Sequence, residues 1–125
     1  MNDLRRGPFS ASASQARSAS PGRIVVVEDV FVRSFLRTAL ERAGYQVFCA
    51  TTGEAARSLG EGKTGLLITN SPRDFAAFGS AVPLLYLSAF PDAGEASEFT
   101  HWKSLRKPFH TSELMSLVGE LVQTV

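Results

Sequence analysis

Five polar side chains stand where the apolar runs of this chain stop. The run Ile24-Val25-Val26-Val27 ends in Glu28-Asp29, Leu66-Leu67-Ile68-Thr69 ends in Asn70, Leu84-Leu85-Tyr86-Leu87 ends in Ser88, and Lys107 follows the run 103–106. If these runs are parallel strands, an acidic pair, an amide, a hydroxyl and an ammonium converge at their carboxyl ends, where open parallel sheets bind ligands. Taken singly, each residue is a polar strand end running into a solvated loop. Their recurrence at four strand ends is the informative observation. Hydrolytic and redox chemistry have less support. His101 and His110 lack the partner spacing of a zinc site, and Cys49 lies inside an apolar run, where it reads as core.

The elements that must position these groups are legible from periodicity. Residues 24–27 are continuously apolar and β-branched, as in a strand covered on both faces. Val32, Phe35, Leu36, Ala39, Leu40 and Ala43 then form the apolar stripe of an amphipathic helix, leaving Arg33, Arg37, Glu41 and Arg42 to solvent. Gly44 is its natural stop. A second strand is expected over 45–50, and a short helix over 53–59 capped by Thr51 or Thr52. The third strand covers 66–69 and the fourth 84–87. Only a turn or two fits in 71–82, and one short helix around 93–99. A fifth strand is expected near 103–106. The last helix, capped by Thr111 or Ser112, carries Leu114, Leu117, Val118, Leu121 and Val122 at helical spacing. Strands alternating with helices predict an α/β fold with a doubly wound parallel sheet. Trp102 and Phe109 read as packing residues beside the fifth strand and the last helix.

Residues 1–22 are rich in Ser, Ala, Arg, Gly and Pro and hold few large apolar groups, so they are expected to form a disordered tail. That leaves residues 23–125 as one domain, large enough to fold without disulfides or metal. The composition, 44% hydrophobic and 20% charged with a net charge of +1, is that of an ordinary globular protein and argues against nucleic acid as a partner. No apolar run approaches the length needed to insert in a membrane. The single cysteine excludes an internal disulfide and fits a reducing compartment, so a cytoplasmic location is expected.

The succession IVVVED, a helix, GY-V, a third strand with a polar end, LYLSA and LRKPF resembles the receiver domain of bacterial response regulators, over roughly residues 23–125. The resemblance implies a five-stranded flavodoxin-like receiver fold, here with shortened third and fourth helices. It implies that Glu28 and Asp29 match the acidic pair that holds Mg²⁺. Ser88 matches the switch hydroxyl, and Lys107 the lysine that pairs with phosphoryl oxygens. Asn70 falls at the phosphoacceptor position, where the family places an aspartate. An amide carries no full negative charge and its nitrogen lone pair is delocalised, so Asn70 should form no acyl phosphate. It should also weaken Mg²⁺ binding, making the expected cofactor none or weak Mg²⁺. Ser104 stands where the family's aromatic switch residue usually lies, and the stretch between Asn70 and Ser88 is shorter than usual.

The sequence is therefore read as a pseudo-receiver of two-component signalling. It should act without phosphorylation and without catalysis, docking a histidine kinase, a phosphotransferase or another regulator. Within its pocket Lys107 is expected to pair with Asp29. Two alternatives stand beside this reading. One is a phosphorylatable regulator and phosphorelay member using Asp74 or a deamidated Asn70. The other is a sensor of small anionic ligands using the arginines of the tail or Arg33, Arg37 and Arg42 of the first helix, although no Gly-rich phosphate loop supports it.

Overall fold

A computed structural model of the chain describes residues 22–123. The expected tail thus lies outside the described residues, save for Gly22. In chain order the elements are β1 (Arg23–Val27), α1 (Val30–Arg42), β2 (Val47–Cys49), α2 (Thr52–Gly60), β3 (Thr64–Thr69), β4 (Leu84–Ser88), β5 (Trp102–Arg106) and α3 (Thr111–Val122). Two 3₁₀ segments, Pro72–Phe78 and Ala93–Ala96, replace helices after β3 and β4. All neighbouring strands pair parallel, in the order β2-β1-β3-β4-β5. The strand order therefore reverses between β1 and β3, the switch point at which such sheets open a crevice.

Alternation along the strands divides the core into two layers. Ile24, Val26, Leu66, Ile68, Leu85 and Leu87 face α1 and α3, meeting Leu36, Leu40, Leu114 and Val118. Val25, Leu67, Leu84 and Tyr86 point the other way, onto Ala55 and Leu59 of α2 and onto Phe75, Ala96 and Phe99. Because both faces are covered, residues 24–27, 66–68 and 84–87 of the central strands form uninterrupted apolar runs, as in the sequence.

The 3₁₀ segments make a thin second layer rather than a helical one. Phe75 interrupts the first segment with φ −124° and ψ 19°, and its ring is fully buried. Arg73 reaches Glu95 of the second segment at 3.0 Å. Gly79 sits so close to this second segment's exit that a Cβ there would collide with the Glu98 carbonyl. The Thr100 N–H donates to the Gly79 carbonyl at 3.0 Å, closing the same contact.

Several expectations shift at their edges. β2 is three residues long rather than six, and β3 begins at Thr64 because Arg23 and Ile24 pair with Thr64 and Leu66 through a register shift. Thr51 caps α2 through a reciprocal bond with Glu54, as expected for one of the two threonines. The start of α3 differs: His110, not Thr111 or Ser112, is the cap residue, and its N–H donates to the Glu113 carboxylate at 2.9 Å. Within the α1 stripe, Phe35 is 42% exposed and Ala43 lies outside the helix as its C-terminal cap. Gly44 follows with φ +96°, a conformation that accommodates glycine without strain.

Candidate functional site

The site forms where β1, β3, β4 and β5 end. Val27 pairs with Thr69, so Glu28 and Asn70 leave their strands side by side at the switch point. Ser88 pairs with Arg106, and the Lys107 N–H donates to the Ser88 carbonyl at 2.9 Å, carrying the lysine back over the strand ends. The Lys107–Pro108 peptide bond is cis.

Glu28 is the centre of the arrangement. Its side chain is fully buried, and Lys107 Nζ lies 3.1 Å from Oε1 and 3.0 Å from Oε2. Oε1 also accepts the Asp29 N–H at 3.1 Å. The approach of Nζ to Oε2 is close enough for an ion pair but not angled as a hydrogen bond, so Oε2 is a buried oxygen without a hydrogen-bond donor. Burial pushes the Glu28 carboxyl above its usual range, and the bonds from Lys107 and the Asp29 N–H offset this only in part.

Asp29 does different work. It is exposed and caps α1, with Oδ1 accepting from the Phe31 and Val32 N–H groups at 3.1 Å each. The Val32 N–H, helped by Lys107 and the Phe31 N–H, holds its carboxyl below the ordinary carboxylate value. The expected Lys107–Asp29 pair is therefore corrected: Lys107 pairs with Glu28. Asp29 is turned toward the orphan N–H groups of the helix, whereas Glu28 points inward to the end of β5. The sequence carried this signal, because an aspartate immediately before an apolar helical stripe is an N-cap.

Asn70 is exposed, and its Oδ1 accepts from the Ser71 hydroxyl at 3.3 Å. The buried Thr69 hydroxyl accepts the Ser71 N–H at 3.1 Å, fixing the turn on the other side. Ser88 is half-buried, and its Oγ accepts from the Phe90 N–H at 3.1 Å. Among the described residues no hydrogen bond or ion pair ties Asn70 or the Ser88 hydroxyl to Lys107. Ser104 is exposed on β5 beside Tyr86, whose hydroxyl accepts the Asp92 N–H at 3.4 Å. Asp74 is exposed in the first 3₁₀ segment, beyond the end of β3. Cys49 is half-buried, and burial raises its thiol above the ordinary value, which disfavours a nucleophilic thiolate.

Carboxylate and amide oxygens suit a hard cation such as Mg²⁺. Here, however, one carboxylate is already matched by an ammonium and the other faces solvent. Among the described residues no cluster of three or more His, Cys, Asp or Glu side chains could hold a metal ion. The donors fit Mg²⁺ weakly, with Glu28 Oε2 a buried oxygen at the strand ends that lacks a hydrogen-bond donor.

Sequence reasoning missed a neighbouring feature. Phe31 is 85% exposed and Phe90 80%, with the Arg106 guanidinium 5.6 Å from the centre of the Phe90 ring. Aromatic residues in a helix and a loop carry no sign of exposure in sequence alone. Among the described residues no helix is long and apolar enough to cross a membrane.

No protein-family profile matches the chain, and no curated protein matches it. Solved structures do. A two-component response regulator from Clostridium difficile superposes with a TM-score of 0.69 at 16% identity, covering 82% of this chain and 97% of that one. The Vibrio cholerae chemotaxis protein CheY4 gives 0.63 at 22% identity, over 80% and 98%. The receiver domain of the Pseudomonas aeruginosa sensor histidine kinase PA1611, solved with a magnesium ion in its active-site cleft, gives 0.66 at 17%, over 82% and 99%. At these identities the likeness is one of fold, and the fold of this chain is the five-stranded receiver fold of response regulators.

Proposed function

We propose that the chain is a receiver-fold module of two-component signalling that binds a partner protein without being phosphorylated and without catalysing a reaction. One observation carries this reading. The β3 end offers an amide, Asn70, in place of a carboxylate, while the Lys107 ammonium is already engaged by the buried Glu28 at 3.0–3.1 Å. Phosphoryl transfer to a receiver needs a carboxylate nucleophile and cations free to neutralise the arriving charge. Asn70 cannot supply the first, and Glu28 holds the lysine that would supply part of the second. The Ser88 hydroxyl accepts from its own loop in the same way. Glu28 and Asp29 act as a weak Mg²⁺ site, in competition with Lys107. The partner is a kinase, a phosphotransferase or another regulator, met in the cytoplasm.

The test is the intact mass of the chain after incubation with Mg²⁺ and acetyl phosphate, with Asn70→Asp alongside. No adduct on the natural chain and one phosphoryl group on the variant is the expected result. An adduct on the natural chain overturns the reading, and peptide mapping would then look first at Asp74 and at a deamidated Asn70.

A further inference from the structure

β2 ends the sheet, and its outer edge is open. The Ile24 N–H donates to the Gln46 carbonyl at 2.8 Å and the Ala50 N–H to the Val26 carbonyl at 2.9 Å, so Gln46, Phe48 and Ala50 turn their backbone groups toward β1. Val47 and Cys49, between them, turn theirs outward, where those groups have no partner among the described residues. The free edge stops on either side of these two. The Tyr45 N–H is taken by the Leu40 carbonyl at 3.1 Å, and the Thr51 N–H by the Glu54 carboxylate at 2.9 Å. Natural sheets guard open edges with charge. The opposite edge strand, β5, is guarded by the exposed Lys103 and Arg106, whereas β2 carries no charged residue.

A second copy of this chain fits that edge. About a two-fold axis through Phe48, Val47 stands opposite Cys49 of the other copy, and Cys49 opposite its Val47. Both are hydrogen-bonded antiparallel pairs, so together they satisfy every outward group of both copies and leave none over. The helices agree with the axis. α1 packs over β1 and β2, so the two copies of α1 would lie about two strand spacings apart. That is roughly 9.6 Å, within the range of about 8–10 Å at which helices pack. Arg37, Arg33 and Glu41 reach close enough to Cys49 to act on its thiol, which puts this charged stripe on the β2 side of α1. Arg37 and Glu41 lie one turn apart, with Nε 3.9 Å from Oε2. On antiparallel copies each of these arginines meets the other copy's glutamate, and the two Arg33 fall at opposite ends. On the other face the half-buried Phe48 rings come together, each with its own Arg23 held over it at 4.9 Å. We propose that the chain self-associates through β2 as a two-fold dimer, with the two five-stranded sheets joined into one and Arg37 of each α1 paired with Glu41 of the other. The dimer goes beyond the reading of the chain as a binding module and does not depend on whether it takes a phosphoryl group.

The experiment follows the full isotope-labelled chain by sedimentation and amide exchange, from dilute solution to about 1 mM. A monomer–dimer equilibrium is expected. The Val47 and Cys49 amides should gain protection as concentration rises, while that of Phe48, bonded inward to β1, should not change. Arg37→Glu sets like charges opposite each other twice and should weaken association about ten-fold. Adding Glu41→Arg to it restores both pairs and should return association to that of the natural chain. Both side chains are exposed, so neither variant disturbs the core. A chain that stays monomeric throughout overturns the proposal, as does a dimer whose protection falls on β5 or α3. Protection of Val47 and Cys49 that is independent of concentration gives the edge to this chain's own residues 1–21 and overturns it equally. So does association that Arg37→Glu leaves unchanged, or a double variant no tighter than the single one.

Discussion

Replacing Lys107 by Met should destabilise the protein in a strongly pH-dependent way, and the second member of the pair should cure it. The Glu28 side chain is 0% exposed and that of Lys107 23%, so removing the lysine strands a carboxylate that cannot reach water. Breaking a buried pair from one side costs about 3–5 kcal/mol. Access of solvent to the Lys107 end puts the expectation near the lower bound, about 3 kcal/mol at pH 8. For a domain of this size that is a fall in Tm on the order of 15 °C. The folded-state pKa of Glu28 is raised above its ordinary 4.5, so its contribution to stability is fully present below 4.5 and is lost as pH rises through the folded value. Lys107→Met removes influences that lower that value and pushes it higher still. The deficit against the natural chain should therefore be close to zero below pH 4.5, open as pH rises, and level off once Glu28 of the variant is charged. Glu28→Gln retains the shape and an acceptor while removing the buried charge, and Lys107 can turn toward solvent, so this variant should lie within about 1 kcal/mol of the natural chain. The double variant should recover most of the Lys107→Met loss. Denaturant unfolding of all four chains between pH 4 and pH 8 measures the cycle. A deficit independent of pH, or a double variant no more stable than Lys107→Met, would refute the reasoning.

Three further outcomes follow from the same structure. Asp29→Ala removes the acceptor for two N–H groups of α1 and should lower Tm. Because the Asp29 carboxyl is held below its ordinary 3.8, this stabilisation is present above that pH and fades as pH falls, so the Tm gap between the chains should close in acid. Gly79→Ala drives a methyl into the Glu98 carbonyl and should shift circular-dichroism melting down by about 1–3 kcal/mol, whereas Gly53→Ala, with open space at its Cβ, should leave melting unchanged or raised. Leu36→Ala, at a fully buried position between α1 and the sheet, should cost about 2–5 kcal/mol in urea unfolding.

The fold was legible because its strands are covered on both sides: a continuous β-branched run such as Val25-Val26-Val27 has few other places to go. α1 was equally clear from Leu36 and Leu40, both fully buried. What periodicity could not resolve was which neighbours share a stripe. Phe35 belongs to the apolar series by spacing, yet it lies at the edge of the buried face and is open to solvent. β3 was read two residues too short because Thr64 and Gly65 look like loop residues, and only their pairing with β1 makes them strand. In the candidate site, the residue types and strand ends were readable, but the side-chain directions were not. Glu28 and Asp29 are adjacent and chemically alike, and their separate duties depend on which one faces a helix terminus and which faces β5.

The Glu28–Lys107 bond joins residues 79 positions apart. In the native structure the ammonium that Glu28 meets comes from the segment that follows β5. Pairing of the buried carboxylate is thus coupled to docking of β5, not only to formation of β1 and α1. The same coupling holds in the native ensemble. Any local opening that lifts the end of β5 away from β4 separates the pair and lets water return to the carboxylate. The ionisation of one buried glutamate is therefore linked to whether β5 is docked, and amide exchange in β5 should quicken under whatever conditions charge Glu28 without its lysine.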